Sequence, residues 1–199
     1  MNVSNFAICL AGLFATVAPF GALSSVRRYK PDIARQESLD VLQIGPLTIF
    51  APAAAFAVLT IAALVSDPLL DALQISGPSF QFAAAAAMVP LAIRLLVSGD
   101  SMAPPAWKMP GYAWLVPFAL PLLAGPVSLI AAISYADRFG VTAAIMAIAT
   151  ALSVTTTLFA TLPVWQRVPP LVAQMLGRLS GVLLLAMAAE MVLDGLHSV

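Results

Sequence analysis

Six stretches of the chain are apolar over about the length needed to cross a bilayer, and polar or turn-forming residues separate them. They run roughly Phe6–Val26, Pro46–Val65, Phe80–Val97, Tyr112–Ser134, Val141–Leu162 and Leu176–Leu196. A membrane-spanning helix needs roughly 20 mainly apolar residues, so each is read as a span. The connections Arg27–Gly45, Ser66–Ser79, Ser98–Gly111, Tyr135–Gly140 and Pro163–Met175 are read as loops. Within the fourth span, PFALPLLAGPVSLIAAI (Pro117 to Ile133) breaks the pattern with three prolines and a Gly-Pro pair. Proline removes an amide donor and clashes with the carbonyl four residues back. In lipid, the backbone groups it frees must face protein or a water-filled cavity.

The break has a counterpart in the first span. TVAPFGALSSV, Thr16 to Val26, sets Ala18 against Gly125, Pro19 against Pro126 and Gly21 against Ser128. The third and sixth spans match as well: Ser79–Gly99 lies against Gly177–Gly195, with Gln81 opposite Arg178 and Ile93 opposite Glu190. The long first loop absorbs the difference in offset between the two comparisons. Two halves of three spans each must cross the membrane in opposite senses. The expected fold is therefore an all-α integral membrane protein: six helices in two inverted-topology repeats, residues 1–100 and 101–199, within one membrane domain. The first and fourth helices are interrupted at Pro19 and Pro126. Paired breaks of this kind point to a midplane binding site in secondary transporters. The alternative is that the prolines only kink packed helices, since proline is common in membrane spans.

Composition agrees with the pattern. Of 199 residues, 61% are hydrophobic and 9% charged, against about 25% charged in soluble domains; mean hydropathy is +0.99. Formal net charge is zero, which gives no basis for a nucleic-acid partner. The lone cysteine, Cys9, cannot form an internal disulfide or a thiol metal cluster. No basic n-region precedes Phe6, so the first segment is expected to be a permanent span rather than a signal peptide. With the first loop in the cytoplasm, Arg27, Arg28, Lys30, Arg35, Arg94, Lys108, Arg167 and Arg178 all fall inside, and only Arg138 falls outside. The positive-inside rule then makes both termini external. Trp107, Trp165, Tyr29 and Tyr112 fall near the cytoplasmic interface, where aromatic belts form.

Four segments carry a family resemblance: LFATVAPFG (Leu13–Gly21), ISGPSFQFAAAA (Ile75–Ala86), PFALPLLAGP (Pro117–Pro126) and GRLSGVLLLAMAAEMVLDGL (Gly177–Leu196). In order and spacing they resemble the MarC family of bacterial inner-membrane proteins, which is grouped with the LysE-type exporters. The resemblance implies six spans, location in the inner membrane and no metal or organic cofactor. It also implies transport of small neutral metabolites, amino acids foremost. The chain departs from the family pattern at three places. Ala18-Pro19 stands for Asn-Pro, Val127 follows Pro126 where glycine is usual, and Phe80-Gln81 with Ala84-Ala85 stands for Phe-Arg and a Gly-Gly pair. The missing Asn removes a side chain that would orient a polar substrate.

Candidate chemistry is sparse. HExxH, GxSxG and GxxxxGK[ST] are absent, so a zinc protease, a nucleophile elbow and a P-loop are not offered, and the chain is not expected to be an enzyme. The expected substrate-binding residues are Ala18, Pro19 and Gly21 at the first break and Gly125, Pro126 and Ser128 at the second. Glu190 is the acid predicted deepest in a span, and acids at depth are functional candidates; it is the proposed proton-coupling group. Arg94 is read as snorkelling to the interface, Arg178 as edging a vestibule, and Asp194 and His197 as solvated. Thr150, Ser153, Thr157 and Thr161 form a hydroxyl stripe on the fifth span, suited to a polar path or to helix packing. The Ala83–Ala87 run is read as a packing surface. Expected partners are a small-molecule substrate and membrane lipid, with a homo-oligomer left open. A scaffold that transports nothing is the alternative function.

Overall fold

In the computed structural model the described residues are 3–17, 44–99, 123–161 and 169–197. They form seven α-helices and no strand: α1 Val3–Val17, α2 Ile44–Leu64, α3 Ser66–Leu73, α4 Gly77–Ser98, α5 Pro126–Phe139, α6 Val141–Ala160 and α7 Pro170–His197. Three of them, α4, α6 and α7, are long and apolar enough to cross a bilayer alone, and α2 with α3 makes a fourth if the bent pair is one span. These four match the third, fifth, sixth and second predicted spans. The first and fourth predicted spans each run into residues outside the described set.

Helix ends follow local chemistry. Ser76 caps α4, its Oγ accepting from the Ser79 amide at 3.4 Å, with Pro78 in the first turn. At the far end Gly99 adopts φ 68° and returns its amide to the Leu95 carbonyl, the left-handed geometry that favours glycine. Gly140, at φ 91°, separates α5 from α6. Inside α2 and α4, Pro52 and Pro90 are accommodated without ending either helix.

The segment Ser66–Ser79, read from sequence as a loop, contains helix α3. It turns 51° away from α2. Pro68 has no amide to give Leu64, which breaks the helix there. The Ser66 hydroxyl takes the Ala63 carbonyl at 2.9 Å, and Leu69 donates to Val65 at 2.9 Å to start the new helix. Leu70 is buried and holds α3 to the bundle, where it packs on α5. The acidic residues Asp67 and Asp71 and the proline between them make this stretch read as a loop.

Small residues fill much of the interior beside a few large ones such as Leu13, Leu59 and Met88, and many large apolar residues lie outside. On α7, Gly177, Ser180, Gly181, Leu184, Ala188, Met191 and Gly195 are buried, while Leu179, Val182, Leu185, Leu193 and Leu196 are exposed. This is the arrangement expected when lipid, not water, bathes the outer face, because small residues let helix backbones approach closely. The seam between α4 and α7 is the clearest case. The two helices run antiparallel, with Phe82 against Gly195, Leu95 against Gly181 and the backbone of Gly99 against Gly177. Arg178 donates to the Val97 carbonyl at 3.4 Å, a cation at the C-terminal end of α4, where the helix dipole favours it. Within the alanine run, Ala84 and Ala85 are buried while Ala83 and Ala86 are exposed, so about half of that surface packs. α6 fills the other side of the bundle, against α1, α2 and α5.

Candidate functional site

The geometry of the break begins at Gly125. Its ψ of 169° is extended, as expected for the residue before proline. Pro126 then opens α5, a position where its missing amide costs nothing. The first amides of a helix have no partner within it, and in α5 these come from Val127 and Ser128, because Leu129 already donates to the Gly125 carbonyl at 3.0 Å. Leu123, Ala124, Gly125 and Ser128 are buried, while Pro126 is exposed.

Ser128 reaches across to the other half of the chain. Its Oγ donates to the backbone carbonyl of Thr16 at 3.2 Å, a buried bond spanning 112 residues. Thr16 lies in the last described turn of α1, and its own hydroxyl donates to the Leu13 carbonyl at 3.0 Å. The amide end of α5, which carries positive partial charge, therefore sits beside the last described turn of α1.

The contact continues along both helices. Tyr135 is fully buried, with its ring stacked on Phe139 at 6.2 Å and its phenol end pressed on Gly12; a methyl group at Gly12 would lie 2.8 Å from Tyr135 Cε2. With Thr16 at Ser128 and Gly12 at Tyr135, α1 and α5 are antiparallel. The Tyr135 hydroxyl has no hydrogen-bond partner among the described residues.

Of the residues expected at the site, Gly125, Pro126 and Ser128 lie at this junction. Ala18, Pro19 and Gly21 lie outside the described residues, although Thr16, two residues before Ala18, is in contact with Ser128. Glu190 is exposed on α7, whereas Ser128 is buried against α1. The hydroxyl stripe on α6 does not open on this junction. Ser153 and Thr157 are exposed, and each stripe hydroxyl is bonded to its own helix: Thr150 to Met146, Ser153 to Ala149, Thr157 to Ser153 and Thr161 to Leu158.

Three features were not read from sequence. Gly12 makes room for Tyr135, a fit that only the three-dimensional pairing reveals. Arg138 forms an ion pair with Asp194 of α7 and lies 4.6 Å from the Phe139 ring centroid, whereas Asp194 was expected to be solvated. The carboxyl of Asp137 is held above the ordinary carboxylate range, by burial first and then by the nearby charge of Asp67.

The described residues form helices and no strand, with many small residues inside, large apolar residues outside and several membrane-length helices, the build of a multi-pass membrane protein. Residues 4–199 match the family described as MarC family integral membrane protein. The chain belongs to that family. Comparison with the curated proteins and with the solved structures found no match.

Proposed function

We propose that the chain is a secondary carrier for small neutral metabolites, amino acids foremost, in the bacterial inner membrane. Its site would lie between the two breaks, formed by Ala18, Pro19 and Gly21 with Gly125, Pro126 and Ser128. The observation that carries this reading is the Ser128–Thr16 bond, which joins the flanks of two breaks that correspond in sequence. The amide end of α5 suits a carboxylate, and carbonyls freed by a break at Pro19 would suit an ammonium group. A zwitterion offers both within one small molecule.

The helix pairing supports six spans in two inverted repeats, residues 1–100 and 101–199. Taking α1 and α5 as parts of the first and fourth spans, most pairings survive exchange of the halves. The first span packs on the fifth as the fourth packs on the second, and the first on the sixth as the fourth on the third. The second and fifth spans pair with each other, as do the third and sixth and the first and fourth. The pairing of α5 with α6 is an exception among the described residues, having no comparably strong counterpart between α1 and α2. Both termini are external in this proposal.

Reconstitution in liposomes with labelled neutral amino acids and an imposed pH gradient tests the carrier. If no solute moves, the scaffold reading replaces it. Glu190 is the proposed proton-coupling acid, acting at the surface of α7. If Glu190→Gln leaves the pH dependence of transport intact, that role fails and the carrier stands.

A further inference from the structure

A second polar locus lies away from the break, where α4, α5 and α7 meet. Three contacts fix this junction. Gly77, the first residue of α4, abuts the Asp137 carboxyl near the end of α5. Phe82 of α4 packs on Gly195 of α7, and Arg138 of α5 pairs with Asp194 of α7. Gln81 lies one turn along α4 from Gly77, and Ser134 one turn back along α5 from Arg138.

Both are buried, with Gln81 8% and Ser134 1% exposed. Gln81 Oε1 and Ser134 Oγ have no hydrogen-bond partner among the described residues. Such atoms are rare in folded proteins, because each is costly to bury unless something bonds to it. Serine inside a helix normally bonds back to the carbonyl four residues earlier, as Ser153 and Ser180 do here; Ser134 does not. The alignment of the repeats adds a contrast, since the position opposite Gln81 is Arg178, whose side chain has its bond to the Val97 carbonyl.

We infer that Gln81 and Ser134 line a water-holding pocket at the α4–α5–α7 junction, and that the Arg138–Asp194 ion pair covers it. The donor and acceptor set is uncharged and suits water, which satisfies buried polar groups when it has two to four partners. The covering pair is partly exposed, at 23% and 27% for its two side chains, as a cover at the surface would be. This inference does not require the chain to transport anything.

The test is thiol labelling of Ser134→Cys in a Cys9→Ala background, on the full chain in proteoliposomes. Methanethiosulfonate reagents need a hydrated thiol. Two are used, one cationic and one anionic, so that loss of the Arg138 charge is not mistaken for opening. The expected result is slow labelling that rises at least tenfold with both reagents in Arg138→Gln and stays slow in Arg138→Lys. Ala132→Cys, on the same helix but among apolar neighbours, stays unlabelled throughout. The inference is overturned if Ser134→Cys is never labelled, if Ala132→Cys reacts equally, or if the two reagents change in opposite directions. A thermal measurement gives an independent reading: Ser134→Ala should lower the melting temperature by removing a bonded group. A rise would mean the hydroxyl was unsatisfied and the pocket dry.

Discussion

Replacing Gly177 with alanine should destabilise the protein, although alanine is the better helix former. A methyl group there would lie 2.7 Å from the Gly99 carbonyl carbon and 3.2 Å from its Cα. Both are backbone atoms and cannot rotate aside. The Gly99 carbonyl oxygen lies closer still, so restoring ordinary contact at 3.4 Å requires α4 and α7 to part locally by more than about 0.7 Å. A gap of that size forfeits roughly a quarter to a half of the dispersion energy of the contacts it opens. The same shift disturbs the Gly99 cap and the Arg178 bond to the Val97 carbonyl. Overpacking of this kind costs about 1–3 kcal/mol. Helix propensity returns at most about 1 kcal/mol, so we expect a net loss of about 1–2 kcal/mol. Equilibrium unfolding of the detergent-solubilised protein measures it. Equal or greater stability for Gly177→Ala would refute the close-packed seam, and with it the antiparallel register of α4 and α7.

Other perturbations test separate parts of the structure. Gly12→Ala should displace Tyr135 and destabilise by about 1–3 kcal/mol, whereas Tyr135→Phe should be neutral or stabilising in the same unfolding assay, because the hydroxyl it removes has no partner among the described residues. Asp137→Asn should raise stability at neutral pH. The folded carboxyl has a raised pKa, so at higher pH folding carries the penalty of an ionised, partly buried group. As pH falls through the raised value toward the ordinary one the folded state takes up its proton first and the penalty disappears. The gain from Asp137→Asn should therefore shrink on acidification, and a gain independent of pH would contradict this. Ser38→Cys should resist an impermeant thiol reagent added outside intact cells, since its loop is proposed to be cytoplasmic; rapid labelling would reverse the topology.

Where the fold was legible in the sequence, the reason was hydropathy. Apolar length alone locates α2, α4, α6 and α7, because a bilayer demands it. Pro126 marks the start of α5 because proline's geometry is local. The α2–α3 bend was missed because Pro68 sits among acidic residues that read as a loop. Side-chain placement was legible only in part. The Thr150–Thr161 stripe has helical spacing, but spacing cannot tell an inward face from an outward one, and these hydroxyls bond to their own helix. Glu190 drew attention as an acid at depth, yet it is exposed, because α7 turns Ala188 and Met191 inward instead. Tyr135 gave no signal at all, since a buried tyrosine is set by the glycine opposite it. Ser128 was found through its alignment with Gly21, although its bonded partner in the structure is Thr16.

The central claim is that a solute binds where the two breaks meet, and Ser128 is the described side chain that joins them. The most direct measurement is uptake of labelled neutral amino acids into liposomes by Ser128→Cys in a Cys9→Ala background, before and after treatment with a small thiol reagent. The account predicts saturable uptake of at least one amino acid. It further predicts that modification reduces this uptake about tenfold or more, and that the transported amino acid slows the modification. Uptake untouched by complete modification of that thiol, or modification whose rate ignores the solute, would contradict it.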